Sequence, residues 1–215
     1  MAQNVDSTIG WHNYFEYFRE YAHQLLVWGY QDSRARIGSQ IEETEITGFI
    51  VAAMKARINS LETPELYRRF VVTENNPIES EGRTGKRRLM PDIIIESTQR
   101  IPHPLYVFEA KRLRKSTHPI SKYIGEEGLL MFINGRYAAD CPEVAMIGYV
   151  QSDTINHWVA ELETQFNKDL VCRFHLIEKF SKMLVAPDLP ETWSSNHTRA
   201  SGSPITIFHL LLDCL

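Results

Sequence analysis

The stretch Leu89–Lys115, LMPDIIIESTQRIPHPLYVFEAKRLRK, decides the fold. Ile93, Ile94 and Ile95 form one β-branched apolar run and Leu105 to Phe108 a second, with Pro102, His103 and Pro104 between them. That pattern predicts two buried strands joined by a turn. With the strands antiparallel about a centre near residue 101, Asp92 lies opposite Ala110. Side chains alternate along a strand, so Glu109 and Lys111 project to one face, and sheet twist brings Asp92 beside them. Two carboxylates this close repel each other and lose hydration, which is costly unless a cation sits between them. Oxygen ligands with no neighbouring His or Cys favour Mg2+, with Mn2+ accepted, over zinc. Lys111 is placed to orient or help activate an attacking water and to balance the charge of a phosphorane-like transition state.

Pro91-Asp92, sixteen intervening residues and then Glu109-Ala110-Lys111 resembles the signature of the PD-(D/E)xK nuclease superfamily, the restriction-endonuclease-like fold. An ordinary β-hairpin capped by surface charges would also satisfy the bare pattern. The setting favours the nuclease reading: the Asp opens an apolar strand, the Glu and Lys close the next, and the basic run Arg112, Arg114, Lys115 follows. The resemblance implies an α/β fold with an αβββαβ core over residues 40–152, its mixed central sheet flanked by helices. It also implies metal-dependent hydrolysis of DNA phosphodiester bonds, in a setting such as restriction or phage defence. Asp92 and Glu109 would bind Mg2+ and Lys111 would position the nucleophile.

In that superfamily the helix opening the core often supplies one more acid. A helix is expected from Ile46, Ile50, Met54, Ile58 and Leu61, ending before Pro64, and its first turn holds Glu42, Glu43 and Glu45. These acids suit a helix N-terminus in any protein. At helical spacing, however, Glu43 shares the face of Ile46 and Ile50 while Glu45 falls away from it, and Glu43-Thr44-Glu45-Ile46-Thr47 resembles the superfamily's pattern. Glu43 is therefore the expected third metal and catalytic carboxylate, with Glu42 in reserve.

The composition suits one domain with additions: 215 residues, 43% hydrophobic and 23% charged. A net charge of −4 argues against an indiscriminate polyanion binder but leaves room for local basic patches that attract DNA. Cys141, Cys172 and Cys214 are too few and too scattered for a disulfide framework or a zinc site, which fits a reducing cytoplasm. No apolar run approaches the roughly 18 residues of a membrane span. The first residues lack a signal peptide's order of basic then apolar. A cytoplasmic protein without membrane association is the expectation.

Residues 1–39 read as a helical extension. Trp11, Tyr14, Phe15, Phe18, Tyr21, Ala22, Leu25 and Trp28 recur at helical spacing, and such a stripe is more often core than a base-stacking platform. It is also the candidate interface for a homodimer, which two-strand cleavage would favour, or for a larger complex. Tyr67 to Thr73 reads as the first strand. The polar segment Glu74 to Arg88 reads as a loop or hairpin tip, where Lys86, Arg87 and Arg88 would grip a phosphate backbone or simply be solvated. The stretch Lys122 to Asp140 is expected to be mostly helical, with Tyr123, Glu127 and Arg136 near the cleft. Val144 to Val150 reads as a strand, with Gln151 as a polar cleft residue, and Thr154 to Lys168 as an amphipathic helix.

Residues 153–215 are expected to add a helix and strands: Cys172 to Leu176, a long polar connection over Ser194 to Ser203, then Ile205 to Leu212. If extended, SNHTR would present Ser195, His197 and Arg199 on one face and could contact phosphate, although a polar loop accounts for it as well. Two other functions compete with the nuclease. A restriction-endonuclease-like module could bind nucleic acid or protein without cutting, but it would have no need of the Asp, Glu and Lys. A Ser, Cys or His nucleophile enzyme lacks the G-x-S-x-G elbow and a convincing Cys and His setting.

Overall fold

A computed structural model describes residues 7–78, 88–169, 172–189 and 192–215, with the side chains of the first helix described from Tyr14 onwards. The hairpin expected from Leu89–Lys115 is present as β2 (Ile93–Ser97) and β3 (Leu105–Leu113), paired antiparallel with Ile93 opposite Phe108. Continuing that register one step sets Asp92 level with Glu109, one residue from the expected position. The carboxylate of Asp92 makes up the difference by accepting the Ala110 amide at 2.7 Å.

Around this hairpin the described residues build one seven-stranded mixed sheet in the order β1-β2-β3-β4-β7-β6-β5. β1 is Phe70–Glu74, β4 Glu143–Val150, β5 Leu176–Lys182, β6 Thr192–Thr198 and β7 Pro204–Asp213. The central β3, β4 and β7 run parallel to one another, and the outer pairs are antiparallel. The protein is thus α/β. From the second helix to β4 the chain runs helix, three strands, short helices, strand, while the segment after residue 152 supplies three strands of the same sheet.

Alternation along the central strands sorts the core into two layers. Phe108, Ala110, Ala145, Ile147, Phe208 and Leu210 face helices α1 (Ser7–Ser33) and α2 (Glu43–Ile58). Val107, Leu113, Val144, Met146, Ile207 and Leu211 face α3 (Ile120–Tyr123), α4 (Leu129–Ile133) and α5 (Ile155–Asn167). Glu109 and Lys111 fall between Val107 and Leu113, so charged groups interrupt the apolar run of β3 on this sheet face.

From Tyr14 onwards the stripe of α1 packs on the core, with Phe18, Ala22 and Leu25 buried and Tyr14, Phe15, Tyr21 and Trp28 partly so. Phe18 and Tyr21 pack on Phe70 while Trp28 packs on Tyr67. The expected helix over 122–140 is broken into α3 and α4, because Gly128 brings the chain back against itself. A Cβ there would lie 2.1 Å from the Tyr123 carbonyl oxygen.

Other boundaries also move. Tyr67 lies in a 3-10 turn, Glu65–Arg69, so the first strand starts at Phe70. Cys172 and His175 have positive φ angles of 51° and 45°, which makes that stretch a turn and delays the strand to Leu176. Gln151 is not a cleft residue: it is buried, and its amide donates to the carbonyls of Gly38 and Ile41.

SNHTR belongs to strand β6 and its exit, and it faces inward. Ser195 and His197 are fully buried, and Arg199 donates to the carbonyls of Ala138, Cys141 and Pro204. The Phe174 carbonyl can only accept, so His197 Nδ1 donates to it at 2.7 Å and Nε2 is left to accept from Ser195 Oγ, also at 2.7 Å. Ser195 Oγ then accepts from His209 Nε2 at 2.8 Å, and His209 Nδ1 accepts from the Tyr123 hydroxyl at 3.0 Å. Each hydrogen in this chain has one consistent place, with both imidazoles neutral. A phosphate-contacting role for this face is ruled out by its burial.

Burial pushes His209 down to about 3 and His197 down to about 4, and burial followed by the charge of Arg19 pushes His23 down to about 3. Their folded pKa values lie below the ordinary histidine value of 6.5, so the unfolded chain binds more protons at mildly acid pH. Their contribution is intact above 6.5 and is lost as pH falls toward 4 and 3. Unfolding free energy measured by urea titration is expected to drop by roughly 1 kcal/mol per histidine for each pH unit between 6.5 and about 4. Replacing His209 by Gln should flatten that slope.

Candidate active site

Three elements meet at the C-terminal end of β3. Asp92 sits one residue before β2, Glu109 and Lys111 alternate along β3, and Glu43 opens α2. The first turn of α2 separates its three acids by task. Glu45 Oε2 accepts from the Glu42 amide at 3.4 Å in a capping-box arrangement, Glu42 pairs with Arg112 at 2.7 Å, and Glu43 reaches inward. There Glu43 Oε2 accepts the Arg112 amide at 2.8 Å and Oε1 lies 3.4 Å from Lys111 Nζ.

Lys111 Nζ is the hub. It lies 2.8 Å from Glu109 Oε1, 2.7 Å from the Ala110 carbonyl oxygen and 3.9 Å from Asp92 Oδ2. Burial alone would lower Lys111, but Glu109, Glu43 and Asp92 together outweigh it and raise the ammonium. Burial lifts Asp92, against the opposing pull of Lys111 and the Ala110 amide. Burial, then the charge of Asp92, pushes Glu109 up to about 8.

With all groups ionised, three carboxylates oppose one ammonium. Glu109 Oε2 is buried and has no hydrogen-bond partner among the described residues. A buried acceptor beside surplus negative charge is the kind of place a hard cation stabilises, and the donors are all oxygen. Asp92, Glu109 and Glu43 therefore fit a divalent ion chemically. They are not arranged around one: among the described residues no three acids, histidines or cysteines form a ready metal-binding group.

A cleft of about 580 Å3 opens beside the cluster. It is lined by Glu42, Glu43, Lys111 and Arg112 from the α2 and β3 side, and by His118, Ser121 and Lys122 from the loop and helix that follow β3. The last three carry no sequence signal, since a turn bridging Arg114 and His118 folds them back onto the site. Glu127 lines the cleft as expected, whereas Tyr123 is buried behind it and Arg136 borders a separate apolar groove.

The basic residues divide. Arg112 is held by Glu42 at 2.7 Å and by His118 Nε2 at 2.9 Å where it lines the cleft. Arg88 and Lys115 are exposed and Arg114 is half-buried, while Lys86 and Arg87 lie outside the described residues. No family model matches the chain, and neither characterised proteins nor solved structures give a match.

One consequence of this geometry concerns stability without metal. Glu109 has a folded pKa above that of the unfolded chain, so its ionisation opposes folding progressively from the ordinary value of 4.5 up to about 8. Glu109→Gln removes that cost while leaving Lys111 two carboxylate partners. In a metal-free buffer the variant should be more stable than wild type by about 1–2 kcal/mol at pH 8, the gain shrinking toward pH 5. Thermal unfolding monitored by circular dichroism at the two pH values measures it.

Proposed function

We propose that this chain is a metal-dependent phosphodiesterase acting on DNA, with a restriction-endonuclease-like core running from α2 to β4. One observation carries the reading: Asp92, Glu109, Glu43 and Lys111, from three separate elements, converge within hydrogen-bonding or ion-pairing distance of Lys111 Nζ, with surplus negative charge and a buried carboxylate oxygen left over. A structural hairpin needs no such concentration of acid. Asp92, Glu109 and Glu43 would hold Mg2+, with Mn2+ as a substitute.

When bound, such an ion polarises the phosphoryl oxygens and stabilises the negative charge of in-line attack. Lys111 donates hydrogen bonds at the mouth of the same cluster, where it can hold the attacking water or the developing phosphorane oxygen. Arg112 fixes Glu42 and, through its amide, Glu43. Arg114, Lys115 and Arg88 offer positive charge outside the cleft for the phosphate backbone. Cleavage of both strands would call for a homodimer or a larger complex. Restriction or phage defence is the setting this chemistry suits.

A second reading, a module that binds nucleic acid or protein without cutting, is favoured by Lys111 itself, because the ammonium already satisfies carboxylates that a metal would otherwise hold.

Supercoiled plasmid incubated with the protein in Mg2+, Mn2+ or EDTA separates the two. Nicking should require the metal and fall at least about 100-fold in Asp92→Ala and in Lys111→Ala, the scale of losing one transition-state contact. Intact plasmid, branched DNA and single strands with every protein, alongside retained DNA binding in a gel-shift assay, would select the non-catalytic module.

A further inference from the structure

The ammonium of Lys111 does more than neighbour the acids. It lies within 4 Å of one oxygen from each of Asp92, Glu109 and Glu43, and it donates to the Ala110 carbonyl at 2.7 Å. Those are the oxygens a cation would need. Lys111 also lines the cleft while Asp92 and Glu109 do not, so an ion approaching from the cleft meets the lysine before it meets two of its ligands. Two cations cannot share one set of oxygens at these distances without strong repulsion.

We infer that Lys111 is the resident counterion of the site, and that a divalent cation enters only by displacing its ammonium from the three carboxylates. This rests on the cation-binding part of the function proposed above. The exchange accounts for two features together. Without a metal, the buried acids hold their positions because Lys111 stands in for the ion. With a metal, the displaced ammonium is left at the floor of the cleft beside Ser121 and Lys122, where a bound phosphate would meet it. The same side chain thus guards the empty site and becomes available to substrate once the site is filled. Metal loading and lysine release are one event.

The test is Mn2+ binding by isothermal titration calorimetry to wild type, Lys111→Met and Glu109→Gln, each checked for folding by circular dichroism. Methionine keeps the unbranched stem of the side chain, one atom shorter, and removes the competing charge, so Lys111→Met should bind Mn2+ at least about tenfold more tightly than wild type. Glu109→Gln should bind more weakly. Mn2+ binding to wild type with equal or weaker binding to Lys111→Met would overturn the displacement while leaving the cation site in place. No Mn2+ binding to any of the proteins would remove the cation site and the displacement with it.

A second measurement uses only the wild type, in case Lys111→Met does not fold. Acetylation of lysines by an N-hydroxysuccinimide ester, read residue by residue by mass spectrometry, should rise several-fold at Lys111 on adding Mn2+, relative to the exposed Lys122. Unchanged labelling at Lys111 under saturating Mn2+ would overturn the inference.

Discussion

One ammonium among three carboxylates holds this structure's working end together. Asp92 comes from the entry to β2, Glu109 and Lys111 from β3, and Glu43 from the first residue of α2. The same acids also tie backbone to backbone: Asp92 accepts the Ala110 amide and Glu43 the Arg112 amide. The joint between the hairpin and the helix therefore runs through the charged cluster as well as through the buried apolar face of α2. Buried ion pairs are weak sources of stability, because desolvation offsets most of their attraction. A single carboxylate would have balanced Lys111. The two further acids make the cluster worse as a structural device and better as a place for positive charge.

The other buried polar group on the same sheet face makes the contrast plain. Tyr123, His209, Ser195 and His197 form a chain that ends on the Phe174 carbonyl, with every donor assigned to an acceptor and no net charge. Burial holds both imidazoles neutral. That network is complete as it stands and specifies how β6, β7 and α3 pack. The carboxylate cluster, some strands away, is incomplete: it has one acceptor too many and a surplus of charge. Completed polar networks hold folds together, and incomplete ones are where ligands are expected.

The cleft is assembled from both sides of the chain's central crossover. Glu42 and Glu43 come from the start of α2, while His118, Ser121, Lys122, Glu126 and Glu127 arrive from the connection between β3 and α4. The parallel β3–β4 pairing makes a crossover necessary, and the crossover leaves from the C-terminal end of β3, beside the carboxylate cluster. Arg112 joins the two walls, bonding to Glu42 on one and His118 on the other. A basic residue next to the site thus serves to shape the cleft, leaving exposed charges farther out to meet any polyanion.

How much of this was legible depended on whether the signal was local. The isoleucine run, the second run from Leu105, the punctuation by Pro102 and Pro104, and the alternation of Glu109 with Lys111 set β2, β3 and the face of the acids, because strand period and β-branching act over a few residues. Helical spacing set α1, α2 and α5, and pointed Glu43 rather than Glu45 inward. Tertiary structure alone decided the rest. SNHTR looks polar enough for a loop, yet it forms β6, since Ser195 and His197 find buried partners in His209 and Phe174 that lie far away in sequence. Gln151 reads as a cleft residue, and the distant carbonyls of Gly38 and Ile41 claimed it instead. A side chain's hydrogen-bond partner is fixed by packing across the whole sheet, and no window of sequence contains it.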